Sequence, residues 1–404
     1  MSLARAGRPA GLRHGCATAA RRAGYTADGV AAPETTTRGG SSGAVWLVAL
    51  PFAAYVIGLV ALSASVPYRP ALDDPELLAL ARHVAEHGSL DPGGLFRRVP
   101  LWQLLLGAGV AGVGERVAVV GLQAASVLGI LGARAARARA GVASPAATLA
   151  VGLAFALSPQ ALLYSRHAAN ELFIGALALA ALLLAERPGV RRAAAAGAVV
   201  AAAAMTKVVA GVLLLPAAWY VFRERIGVRP RLVGLLAGFA ALALPLGLLA
   251  VAQRGWPLDD TSSFNLGSLD QSAWLAAGSL AERNRLALES FQASWDAGPL
   301  AYLAAAAGRA VSWLARPSSL DLLSWIPEYP ALLVEVGDQV VFFGVLVLAV
   351  LGTTRATLPM WVLPLALWAA CSLPLKTPYS PRVTALVSLL LLAPVGIDAL
   401  RGRR

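Results

Sequence analysis

An all-α bundle that crosses a membrane many times is the fold class this sequence predicts, and three observations predict it. Hydrophobic residues make up 58% of the 404 and charged residues only 14%, with a mean hydropathy of +0.66. A soluble domain is about half apolar and about a quarter charged. The apolar residues are gathered into repeated runs, several of them near the roughly 20 residues that cross a bilayer. The arginines sit in the short gaps between those runs, which is how membrane topology is signalled.

The elements follow in order. Residues 1–43 are rich in Arg, Ala, Gly, Ser and Thr and lack an apolar core, so they read as a disordered cytoplasmic tail rather than a signal peptide. The run 44–66 is long enough to span. Residues 67–103 form a polar island on the outer face, followed by a short apolar piece at 101–114. Runs at 116–137, 145–163, 168–185, 193–205, 208–222 and 232–252 then alternate inward and outward. The inward ends carry Arg134, Arg137 and Arg139, then Arg187, Arg191 and Arg192, then Arg223, Arg225, Arg229 and Arg231. A second polar region covers 254–336. Runs at 337–352, 358–373 and 381–400 close the chain beside Arg355, Lys376 and Arg401. This alternation predicts ten crossings with both ends inside, in one transmembrane domain over 44–404. The Arg bias and heavy Ala use suggest a high-GC bacterial genome, and the expected location is a bacterial plasma membrane.

Composition also excludes functions. The net charge of +12 would suit nucleic acid, but its placement between apolar runs assigns it to topology. The two cysteines, Cys16 and Cys371, allow neither a disulfide framework nor a CxxC metal site. His83 to His87 reads H-x-x-E-H, the order of an inverted zinc-protease motif. Both histidines sit on one surface helix and no third ligand can be assigned, so no metal or other cofactor is assigned. A divalent ion shared with Glu171 or Asp74 lacks support.

The acids point to one face. Asp73, Asp74, Glu76, Glu86 and Asp91 lie in the first island, Glu171 begins a helix at the same level, and most others fall in 254–336. Asp73 and Asp74 precede Pro75, so either carboxylate suits a helix N-terminus, where a cap contributes roughly 1 kcal/mol. A carboxylate there also suits a general base acting on a hydroxyl at the membrane surface. The two readings stand level on the residues alone.

A family resemblance rests on the order of several short motifs. Asp73-Asp74, Leu77, Ala81-Arg82, Gly88 and Val99-Pro100-Leu101 resemble the first outer loop of the C-type glycosyltransferases that use polyprenyl-phosphate sugars. Protein O-mannosyltransferases and the aminoarabinose transferases of lipid A are among them. Leu157-Ser158-Pro159, Tyr164-Ser165-Arg166, Glu171, Met205-Thr206-Lys207 and Tyr379-Ser380-Pro381-Arg382 extend the likeness over most of 67–400. Asp74 stands where that family has Glu, Leu77 where it has an aromatic residue, and Val99 where it has the first Pro.

The resemblance implies a transferase moving a sugar, with inversion, from a polyprenyl-phosphate donor to an extracytoplasmic acceptor. It implies Asp73 as the catalytic acid residue, Asp74 as a supporting acid or cap, and Glu171 facing the same cavity or pairing with Arg166. Arg97, Arg98, Lys207, Lys376 and Arg382 are the cations expected to meet the donor phosphate, since Arg binds phosphate oxygens in pairs and Lys as a point charge. Snorkelling at the interface explains a single such cation equally well. Lys207 stands out, being surrounded by an apolar run. Arg166, His167 and Tyr379 are expected to line the substrate cavity, and 254–336, with Trp256, Trp274, Trp295, Trp313 and Trp325, to cover the acceptor side. Besides these substrates, membrane lipids are the only partners implied. Two rival functions remain: a transporter or lipid flippase, and an inactive assembly subunit with the same fold.

Overall fold

The computed structural model describes residues 41–70, 74–90, 99–223, 227–254, 280–318, 330–372 and 381–402, and the expected tail lies outside them except for its last three residues. Every regular element among the described residues is helical: α1 (Ser41–Ser65), α2 (Asp74–His87), α3 (Pro100–Val113), α4 (Glu115–Arg139), α5 (Pro145–Ala156), α6 (Pro159–Tyr164), α7 (Glu171–Ala185) and α8 (Val190–Ala204) come first. A 3-10 turn over Val208–Leu213 leads into α9 (Leu214–Arg223) and α10 (Val228–Arg254). Then follow α11 (Leu280–Asp296), α12 (Pro299–Ala315), α13 (Ala331–Leu351), α14 (Val362–Ser372), α15 (Pro381–Leu389) and α16 (Ala393–Leu400).

Local chemistry sets the boundaries. Ser144 and Ser158 each accept the third following backbone N–H, with Pro145 and Pro159 at the first helical position, the arrangement that starts a helix best. Gly88 ends α2 at φ +65°, and Gly114 turns the chain between α3 and α4 at φ +84°, both in the left-handed region that glycine enters without strain.

Four helices are long and apolar enough to cross a membrane: Val45–Ser65, Glu115–Arg139, Val228–Gln253 and Ala331–Leu351. The pair α15 and α16 makes a fifth if its 48° bend is taken as one broken span. The expectation of ten crossings goes beyond this. The remaining apolar runs are divided into pieces too short to span alone, with Pro159 after α5, Lys207 after α8 and a 3-10 turn before α14.

Contacts nevertheless sort the helix ends into two sets. At one end Arg137 of α4 lies 3.6 Å from Glu186 after α7, and also donates to Met360 Sδ at 3.3 Å. There too Ser144 binds the Asp398 carboxylate of α16 through its N–H and its hydroxyl, both at 2.6 Å. At the other end Leu90 N–H meets Gln253 of α10, and Thr384 of α15 donates to the Glu171 carbonyl.

Glycine lets several helices touch backbone to backbone. A Cβ on Gly197 of α8 would sit 1.9 Å from the Leu235 carbonyl oxygen of α10, and one on Gly238 of α10 1.9 Å from that of Ala194. Gly352 and Gly396 do the same where α13 meets α16. Apolar tails give little drive to associate helices in lipid, so such close packing carries the load. The amphipathic run of the first island forms α2. Its Leu77, Leu78 and Ala81 pack with Trp102 and Leu106 of α3, Val119 of α4 and Ala168 in a small core of their own. That core holds α2 against α3 and α4.

Candidate functional site

The chain is not helical from Ser165 to Asn170, yet it is buried between α6 and α7. Buried backbone without a helix must find side-chain partners, most of all among apolar helices. Here it does. Gln123 of α4 donates through Nε2 to the carbonyls of His167 and Ala169. Trp102 of α3 donates to the Ala168 carbonyl at 2.7 Å, and Asp74 accepts the Ala168 N–H at 2.6 Å. Asn170 donates to the Thr206 carbonyl at 3.1 Å, and Met205 accepts the Leu101 N–H at 2.9 Å. The segment is therefore a hub joining the first island, α4 and the end of α8.

Asp74 is the most buried acid of this hub, with no exposed surface. It accepts from Nδ1 of His167 at 2.5 Å, from Ala168 and from the Tyr68 hydroxyl at 3.3 Å. A carboxylate facing these donors only accepts, so the imidazole carries a proton at Nδ1. The Tyr68 ring leans on His167, and the Arg116 guanidinium lies 4.5 Å over the Tyr68 ring. Burial first, and the Asp74 charge next, push the Tyr68 phenol above its ordinary value.

A second group lies at the start of α7. Glu171 is buried and Lys207 is 29% exposed, with Nζ and Oε1 3.0 Å apart. Thr384 fixes the Glu171 backbone at 3.0 Å. Arg382, buried two residues earlier on α15, donates to Gln339 at 3.1 Å and stacks 3.9 Å over the Phe342 ring. Next to Gln339, Asp338 is buried in α13 and accepts from Gln160 at 2.6 Å and Ser318 at 2.7 Å.

The expected residues divide as follows. Asp73, Arg97, Arg98, Lys376 and Tyr379 lie outside the described residues. Asp74 joins His167, and Glu171 joins Lys207 rather than Arg166. Arg166 instead donates to the Val66 carbonyl at 2.7 Å. Arg382 sits at the same end of the bundle on α15. Of the five tryptophans expected to cover the acceptor side, Trp295 and Trp313 are described. His83 and His87 stack on each other at 4.6 Å between ring centres, and no group of three metal-ligating side chains exists among the described residues. Trp102, Gln103, Gln123, Asp338 and Thr384 are not among the expected site residues. A glutamine inside an apolar run was the available signal for two of them.

No protein-family model matches the sequence, and no curated protein matches it. Among solved structures it is similar to ArnT from Cupriavidus metallidurans in the apo state, at TM-score 0.50 and 17% identity. The match covers 88% of this chain and 59% of that one, so the chain spans about three-fifths of the length of the protein it matches. At this identity the likeness describes the fold: the helices of this chain follow the course of that structure.

Proposed function

We propose that this chain is a membrane glycosyltransferase that moves a sugar from a polyprenyl-phosphate carrier to an acceptor hydroxyl, with inversion. The motif resemblance implies this class, and the helices follow the fold of ArnT. The observation that carries the reading is the hub. It gathers Asp74 of the first island, the Glu171–Lys207 pair and, at the same bundle end, Arg382, where a lipid-borne phosphate and a polar acceptor could meet.

In this reading the acceptor oxygen attacks the anomeric carbon. The bond from that carbon to the phosphate oxygen breaks, and its electron pair leaves with the polyprenyl phosphate. Asp73 takes the hydroxyl proton. Asp74, held by three donors, anchors the first island beside it. Lys207 and Arg382, with Arg97, Arg98 and Lys376, balance the charge of the departing phosphate. Glu171 keeps Lys207 in place, and Arg166, His167 and Tyr379 line the cavity. The hub end faces away from the cytoplasm of a bacterial plasma membrane, with both chain ends inside and the broken helix pairs completing ten crossings.

Purified protein is tested with labelled polyprenyl-phosphate hexoses and pentoses, with and without Asp73→Ala. Transfer by the wild type and its loss in the variant are the expected results. Equal transfer by both removes Asp73 as the base. Absence of transfer from every donor removes the enzyme reading and leaves a transporter or an assembly subunit.

A further inference from the structure

The hub leaves polar atoms over. Gln103, 1% exposed on α3, has no hydrogen-bond partner for either side-chain atom. Gln123, fully buried, uses Nε2 on two carbonyls and leaves Oε1 without a partner. His167, 1% exposed, uses Nδ1 on Asp74 and leaves Nε2 without one. His167 is in the hub, Gln123 is bonded to it, and Gln103 is the next residue after Trp102, which is bonded to it.

A buried polar atom left unpaired costs about 1–3 kcal/mol. Among apolar helices such atoms usually mark a functional site. Their chemistry defines the partner class. Gln123 Oε1 and Gln103 Oε1 accept, the Gln103 amide nitrogen donates, and His167 Nε2 can pair with either end of a hydroxyl. Neither glutamine carries a charge. A phosphate wants donors and positive charge, and Lys207 and Arg382 offer those elsewhere. A polyhydroxylated, uncharged group offers hydroxyls that both donate and accept, which suits this mixed set.

We propose that Gln103, Gln123 and His167 form the sugar-recognition subsite, reading hydroxyl groups of the transferred sugar. This rests on the glycosyltransferase reading and adds the residues that select the sugar. Asp74 is here a positioning residue, because it holds the His167 ring through Nδ1. Leaving the subsite's buried groups unpaired is also what rejects a carrier without the right sugar.

The test uses the full chain in detergent and reads thermal stabilisation by ligand. Polyprenyl-phosphate hexoses and pentoses are compared with polyprenyl phosphate lacking sugar, for wild type, Gln103→Leu and His167→Asn. His167→Asn keeps a donor near the Nδ1 position for Asp74 and deletes Nε2. Gln103→Leu keeps the volume and removes an unpaired amide, so the unliganded variant should be as stable as wild type or more so. The expected result is that at least one sugar-bearing carrier stabilises wild type more than the bare carrier. Both variants should lose that extra affinity, on the order of tenfold or more, while still binding the bare carrier.

Persistence of the sugar-dependent gain in both variants overturns the subsite, as does a wild type that treats all sugars and the bare carrier alike. Either result leaves the carrier-binding reading standing. No stabilisation by any carrier removes both. A Gln103→Leu protein that gains stability and keeps full sugar discrimination shows a mere unsatisfied core amide.

Discussion

Adding one methyl group at Gly238 should unfasten α8 from α10, and the structure gives the size of the effect. The new Cβ would lie 1.9 Å from the Ala194 carbonyl oxygen, whereas ordinary contact begins at 3.4 Å. The obstacle is backbone, so no rotamer change relieves it. The two helices must part by about 1.5 Å, the difference between those distances. Overpacking of this kind costs roughly 1–3 kcal/mol, and a clash with backbone belongs at the upper end. Alanine returns about 1 kcal/mol of helix propensity, so Gly238→Ala should lose about 2 kcal/mol. Gly247 is on the same helix and has nothing within 4 Å of its Cβ position. Gly247→Ala should therefore keep the propensity gain of about 1 kcal/mol. Unfolding midpoints of the two variants in one detergent read the difference of about 3 kcal/mol directly. A Gly238→Ala protein as stable as wild type refutes the packing argument.

Other expectations follow from the hub. Asp74→Ala leaves three donors without their acceptor and should cost roughly 3–5 kcal/mol in unfolding measurements, with Asp74→Asn costing less. Lys207→Met and Glu171→Gln should show a coupling of about 1 kcal/mol in a double-mutant cycle, modest because Lys207 is partly exposed. A coupling of zero would separate the pair energetically. The raised Tyr68 phenol favours its protonated form in the folded state. Its contribution is full below the unfolded value of about 10 and is lost as pH rises beyond it. Tyr68→Phe should flatten the alkaline fall in midpoint, and an unchanged slope in the variant contradicts the placement.

The sequence made the helical class plain because apolar runs and arginine gaps are local patterns. The amphipathic α2, the glycine turn after it and the short apolar α3 were local as well. Span number was harder, since Pro159, the 3-10 turn before α14 and the bend between α15 and α16 interrupt apolar runs that composition alone joins together. Glu171 and Lys207 each stood out singly, but their pairing depends on how α8 ends against α7. Asp74 and His167 lie 93 positions apart, and nothing periodic links them. Gln103 and Gln123 were visible as polar residues in apolar surroundings. What they serve emerges only when the irregular segment at 165–170 is seen to need partners.

The clasp between Ser144 and Asp398 bears on biosynthesis. Its partners are 254 positions apart, and they join the start of α5 to α16. A chain made from its N-terminus inserts α5 long before the carboxylate that fastens it exists. Until then the Ser144 N–H must rely on water, lipid headgroups or an insertion factor. A product stopped before α16 keeps most of its hydrophobic helices but not this fastening, nor the glycine contact of α16 with α13. Interrupted synthesis thus leaves a recognisable open seam for membrane quality control to act upon.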